Sequence, residues 1–161
     1  MKKITPCLWF DNQAEDAANF YISIFKKSKI INIARYGEEG AKVSEKSEGT
    51  VMTVTFLLEG QEFMALNGGP QFKFSEAISF VVNCRTQKEI DAFWKKLSEG
   101  GEEGPCGWLK DRYGVSWQIV PIALGEMLRD KDTRKSEKVM KAMLQMKKLD
   151  IKVLKQAFEQ Q

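Results

Sequence analysis

The sequence predicts an α+β fold: two consecutive βαβββ modules followed by a helical C-terminal extension. Three observations carry this prediction. Strand and helix patterns run in the order strand, helix, strand, strand, strand, and the order then starts again. The helical face Ala17, Phe20, Tyr21 and Ile24 is echoed by Ile90, Phe93, Trp94 and Leu97 at a constant offset of 73 residues, a degenerate internal repeat. The segment Gly60 to Leu66 matches Gly114 to Val120, each a turn glycine followed by an aromatic residue two places before an apolar one. The boundaries read as 1–70 for the first module, 71–121 for the second and 122–161 for the extension.

In the first module, Ile4 to Phe10 alternates and is rich in strand formers, and Asn12-Gln13-Ala14-Glu15 offers N-cap and N3 residues for a helix. That helix places Ala17, Phe20, Tyr21, Ile24 and Phe25 on one face and stops near Lys26 and Lys27, where cations suit a C-terminus. Lys29 to Tyr36 reads as a strand, and the polar Gly37 to Glu48 as an exposed loop. Val51 to Leu58 and Gln61 to Asn67 read as strands joined at Glu59-Gly60 by a tight hairpin.

After Gly68-Gly69-Pro70, the apolar run Ala77 to Val82 opens the second module, and Thr86-Gln87-Lys88-Glu89 supplies a full capping box for its helix. Strands follow from Trp108 and from Ser116, and the unit closes at Pro121. The remainder is helical, roughly Ala123 to Arg129, Arg134 to Lys148 and Ile151 to Glu159, with Asp150 as an N-cap. Val139, Met143 and Met146 form a stripe whose commoner use is packing.

Composition removes several function classes. The chain has 161 residues, 43% hydrophobic and 29% charged, which suits one compact domain or two small modules. Lys plus Arg number 25 against 22 Asp plus Glu, an excess too small and dispersed to predict nucleic-acid binding. The opening Met-Lys-Lys is followed by an apolar stretch containing Pro6 that runs straight into Asp11, so no export signal is expected. No run approaches a membrane span. Cys7, Cys84 and Cys106 are odd in number and lack a CxxC spacing, so they read as reduced thiols of a cytoplasmic protein. The count of histidines is zero, which removes Ser-His-Asp and Cys-His catalysis and every imidazole-dependent metal site.

Individual motifs are weaker. The glycine-rich segment Gly100 to Gly107 leaves a helix and enters a strand, the reverse of a phosphate loop, and reads as a helix C-cap followed by a turn. No GxGxxG or GxGxG occurs, so no dinucleotide or adenosylmethionine fingerprint is present and no cofactor is expected. Asp111-Arg112 before Gly114 reads as a solvated hairpin corner. Cys106 reads as an inert thiol. Trp94 belongs to a helix core face, which leaves Trp9 and Trp108 as the pocket candidates.

Period-2 alternation sorts the strand faces. Thr5, Cys7 and Trp9 share a face of the first strand; Ile78, Phe80 and Val82 face the helix of the second module, with Ala77, Ser79 and Val81 away from it. In the closing strand Trp117 and Ile119 go with the helix, while Ser116, Gln118 and Val120 face away. Met64 and Leu66 occupy the same away-facing places in the first module. This mixture of small, polar and soft residues suits a ligand cleft, and equally a second hydrophobic core.

Four blocks, LWFDNQAEDAANFYISIFKKSKI at 8–30, GQEFMALNGGPQFKFSEAISFVV at 60–82, CGWLKDRYGVSWQIVP at 106–121 and KVMKAMLQMKKLDI at 138–151, together resemble the PhnB-like family, labelled 3-demethylubiquinone-9 3-methyltransferase, in the vicinal oxygen chelate superfamily that includes glyoxalase I and bleomycin-resistance proteins. The resemblance implies two modules whose curved sheets form a half-open barrel, commonly in a homodimer. In metal-using relatives, ligands come from concave-face positions that fall here at or near Thr5, Met64, Ala77 or Ser79, and Gln118. Of these only Gln118 is a plausible ligand, and one neutral amide does not hold a divalent cation against water, so no metal is expected. The expected ligand is a small, partly aromatic or amphipathic molecule, with Gln118, Ser79 and Thr5 as polar contacts and Cys7, Trp9, Trp108 and Met64 beside them. The family label implies the alternative, a methyltransferase-like enzyme or another metal-free reaction in the same cleft. An enzyme requires a buried carboxylate or tyrosine with a displaced pKa there; a binder does not.

Overall fold

The computed structural model of the chain describes residues 3–160, so Met1, Lys2 and Gln161 lie outside the described residues. It comprises two compact units, residues 1–73 and 74–161. Each contains a four-stranded mixed sheet, as the repeat predicts.

The first unit runs β1 (Cys7–Phe10), α1 (Ala14–Ile24), β2 (Lys29–Arg35), α2 (Glu38–Ser44), β3 (Val51–Leu58) and β4 (Gln61–Asn67). The sheet order is β1-β4-β3-β2, with β1 parallel to β4 and the other pairs antiparallel. β1 starts later than the alternation predicts, because Ile4 is 83% exposed and only the carbonyl of Pro6, accepting from Met64 N, continues the pairing. α1 covers the face carrying Leu8, Phe10, Val54, Phe56 and Ala65, all buried. Its buried stripe is rotated from the expected one, running through Ala14, Ala17, Ala18 and Tyr21, while Phe20 and Ile24 are half-buried. The small alanines allow the helix to lie close to the sheet. The expected cap is also corrected: Gln13 occupies the N-cap without a side-chain bond to the helix, and Asn67 at the end of β4 instead accepts from Ala14 N at 2.8 Å.

The predicted loop from Gly37 to Glu48 contains α2, a second correction. Ala41 buries itself there, and Lys42 reaches Glu38 and Glu39 at 2.8 and 3.0 Å. One inward alanine and i,i+3/i,i+4 charge pairs support a short helix that no long periodicity announces.

In the second unit β5 (Phe80–Cys84), α3 (Gln87–Ser98), β6 (Glu102–Glu103), β7 (Trp108–Lys110) and β8 (Ser116–Pro121) form the sheet β5-β8-β7-β6. β5 begins at Phe80 rather than Ala77, and Ile78 is 75% exposed, so it does not face the helix as the alternation predicts. Phe80 does, meeting the ring of Trp117 at 5.3 Å. Ile90, Trp94 and Leu97 of α3 are buried, and the Thr86 capping box forms in full. The glycine-rich segment is not simply a turn: β6 lies inside it, pairing Glu102 with Lys110 and Glu103 with Leu109. Gly101 permits this approach, since a Cβ there would fall 2.1 Å from the Lys110 carbonyl oxygen.

The chain continues through α4 (Ile122–Leu128), α5 (Thr133–Met143) and α6 (Ile151–Glu159). Leu124, Met127, Val139, Leu149 and Leu154 form their buried core, with Met143 and Met146 packed against it. α5 ends five residues before the predicted Lys148. The segment after it has other partners: Met146 O accepts from Cys106 N and Lys147 O from Gly107 N, each at 2.7 Å. The Gln87 side chain clasps the same segment, donating to Leu149 O at 3.1 Å and accepting from Ile151 N at 2.9 Å. Asp150 caps α6 as predicted, accepting from Val153 N.

Candidate functional site

Each sheet has one face covered by its helix and one that is not. In the first unit the register Cys7↔Met64 and Trp9↔Leu66 puts these four side chains together on the face opposite α1, joined by Thr55 across from Met64. Thr5 lies outside the strand, and its Oγ1 donates to Glu62 Oε1 at 3.2 Å. Trp9 is held firmly. Its Nε1 donates to Gly69 O at 2.9 Å, Phe72 meets it edge-on at 4.9 Å, and a Cβ on Gly68 would lie 2.2 Å from the ring. Cys7 is exposed, yet desolvation raises its thiol pKa, which makes it a poorer nucleophile.

In the second unit the pairs Trp108↔Gln118, Lys110↔Ser116 and Val81↔Gln118 assemble the face opposite α3. Gln118 Nε2 donates to Ser79 Oγ at 2.9 Å, so two residues assigned to the site from alternation alone are in contact. Trp108 lines a cavity of about 380 Å³ together with Glu76, Glu102, Pro105, Lys110 and Ser116. Lys110 pairs with Glu76 at 2.5 Å, which lowers the Glu76 carboxyl and raises the Lys110 ammonium. Ser116 is 1% exposed and its Oγ has no hydrogen-bond partner among the described residues.

Thus the structure groups Cys7, Trp9 and Met64 in one unit, and Ser79, Trp108 and Gln118 in the other. Sequence reasoning did not assign Glu76, Glu102 or Lys110 to a site, because cross-strand register across β6 and β7 brings them together and β6 has only two residues. Asp111 is corrected: it sits at a hairpin corner, but it is 2% exposed rather than solvated. Its Oδ1 accepts from Tyr113 N and Val115 N and its Oδ2 from Trp117 Nε1, while Arg112 reaches Glu99. Cys84 is buried, and desolvation together with Glu89 pushes its thiol up to about 12, so it is a core residue.

A metal of the kind the superfamily uses does not fit the donors at the corresponding places. Met64 is a thioether, Ser79 and Thr5 are neutral hydroxyls already hydrogen-bonded, and Gln118 is a neutral amide. Among the described residues no three His, Cys, Asp or Glu side chains come together as a metal site. None of the described helices is long and apolar enough to cross a membrane.

Comparison with known proteins agrees with this architecture. The family model described as 3-demethylubiquinone-9 3-methyltransferase matches residues 2–120, so α4, α5 and α6 lie beyond the match. A PhnB protein from Bacillus cereus is 42% identical, with a TM-score of 0.65 over 74% of this chain and 99% of its own. Protein PA1353 from Pseudomonas aeruginosa is 18% identical, with a TM-score of 0.60 over 75% and 98% of the two chains. The fosfomycin resistance protein FosX from Listeria monocytogenes is 15% identical, with a TM-score of 0.55 over 80% and 98%, which speaks for the fold alone. No curated protein matches. The chain belongs to the PhnB-like, 3-demethylubiquinone-9 3-methyltransferase family, with the fold of the vicinal oxygen chelate superfamily.

Proposed function

We propose that this protein binds a small, partly aromatic or amphipathic molecule against the sheet face opposite α3 and does so without a metal. The observation that carries the reading is the Gln118–Ser79 hydrogen bond beside Trp108. It orients the amide while leaving the acceptor capacity of Gln118 Oε1 for a ligand, and the tryptophan supplies a flat apolar wall. Cys7, Trp9 and Met64, with Thr5 at their edge, offer a similar surface in the first unit. In keeping with its reduced thiols the protein works in the cytoplasm, as a homodimer. No nucleic acid and no membrane take part.

The test is a thermal-shift and calorimetric screen with phenols, quinones and divalent metals. Stabilisation by an aromatic ligand in the presence of EDTA is the expected result, with affinity loosened about tenfold in Gln118→Leu, roughly the value of one hydrogen bond to a neutral group. Stabilisation by a metal at low micromolar concentration, or an unchanged affinity in Gln118→Leu, overturns the reading. The family match itself favours a second reading, methyl transfer to a phenolic oxygen. Saturable binding of adenosylmethionine in the same screen would support it.

A further inference from the structure

The cavity of the second unit holds chemistry that an aromatic ligand alone does not use. Its ionisable lining is unbalanced: Glu76, Glu102 and Glu103 stand against the single Lys110. Lys110 is engaged by Glu76 at 2.5 Å, and Glu103 accepts from Trp94 Nε1 at 2.7 Å. Glu102 lies across from Lys110 in the β6–β7 ladder and shares its attraction with Glu76, so two carboxylates face one ammonium on the side of the cavity that holds the Trp108 ring. The second observation is independent of this charge. Ser116, 1% exposed, lines the same cavity, and its Oγ has no hydrogen-bond partner among the described residues. A buried hydroxyl is nearly always satisfied in a folded protein, so one facing a cavity marks a place where a ligand or a water completes the bonding.

We infer that this cavity takes a small organic cation, a protonated amine on an aromatic or aliphatic body. The ammonium brings N–H donors to the Glu102 and Glu76 carboxylates and to the Ser116 oxygen, and its charge is attracted to the Trp108 ring face. The apolar body packs against Trp108 and Pro105. A carboxylate of the same shape brings like charge to Glu102 and Glu76 and meets a Lys110 ammonium that Glu76 already engages. The inference rests on the reading of the face opposite α3 as a ligand surface and adds the charge of the ligand.

Phenethylamine, phenylacetate and 2-phenylethanol share a phenyl body and differ in charge, so they separate the alternatives when titrated calorimetrically into the full chain at neutral pH and low salt. The expected order is amine tightest, with its affinity loosened about tenfold in Glu102→Gln and about fivefold in Ser116→Ala, and weakened by salt. Ser116→Ala removes an unpartnered buried oxygen and is expected to melt at or above the temperature of the parent chain, so a folding defect does not confuse the result. Binding of phenylacetate as tight as that of the amine, or an amine affinity unchanged in both variants, overturns the inference. If all three probes bind equally and Gln118→Leu weakens them all, the cation inference fails while the ligand face stands. If none of them binds, both fail.

Discussion

The first module begins its helix with a side chain supplied by its last strand, whereas the second begins its helix with a capping box of its own. Asn67 reaches across 53 residues to Ala14 N and donates from its other end to Val51 O. Thr86 and Glu89 satisfy the start of α3 from within four residues. The hairpins reverse the pattern. Between β3 and β4 the turn is set by backbone conformation, with Glu59 and Gly60 at φ of 46° and 81° as a mirror-image two-residue turn demands, and the side-chain bonds there tie Glu59 to Lys26 and Ser28 outside the hairpin. Between β7 and β8 a buried carboxylate does the work, with Asp111 gathering two backbone N–H groups and the Trp117 indole. The lesson is that a shared topology follows from the repeated apolar pattern, while each corner is solved by whichever polar group lies at hand.

Three measurements break or sharpen this comparison. The largest effect is expected from Asp111→Ala, which leaves three donors without their acceptor in a buried site. A loss of about 3 kcal/mol is expected, read as a lower urea midpoint. An intermediate pair follows: Asn67→Ala is expected to cost about 2 kcal/mol because the groups it leaves are buried, and Thr86→Ala about 1 kcal/mol because α3 starts in water. Equal losses for the two would remove the distinction between a tertiary and a local cap.

The smallest effect belongs to Glu76→Gln and depends on pH. Lys110 lowers the Glu76 carboxyl, so the contribution of that carboxylate is present above its ordinary value of 4.5 and is lost as pH falls through the lowered one. Lys110 is raised, so its share is present below 10.5 and is lost as pH rises through the raised value. The difference in melting temperature between parent and variant is therefore expected to be widest between those limits and to close on either side. Glu76 is exposed and Lys110 only half-buried, so the difference is small.

The residues read from sequence divide along the same lines. The Thr86 box, the Glu59-Gly60 hairpin, the Asp150 cap and the buried faces of α3 and β8 were legible, because each depends on residues within one turn or one alternation. Ile78 was misplaced because an apolar run does not say which of its residues enter the ladder. α2 was missed because seven residues with one buried alanine are too few to show a period. Of the site, the facing of Trp9, Met64, Ser79, Ser116 and Gln118 came from parity, Trp108 came from setting Trp94 aside as a core residue, and Ser79 and Gln118 are hydrogen-bonded to each other. The Glu76–Lys110 pair, and the lack of a hydrogen-bond partner for Ser116 Oγ among the described residues, did not come from parity, since both depend on cross-strand neighbours.

The sequence by itself determined the repeated module, the order of its longer strands and of α1 and α3, and the helix-facing side of β8, because hydrophobic periodicity is a local property of the chain. Only the tertiary structure decided that Asn67 caps a helix 53 residues away, that Asp111 is buried, and that Gln87 clasps the segment after α5. A polar side chain carries no mark of its distant partner. Its role is set when packing excludes water and leaves the nearest unpaired group as the one bond available.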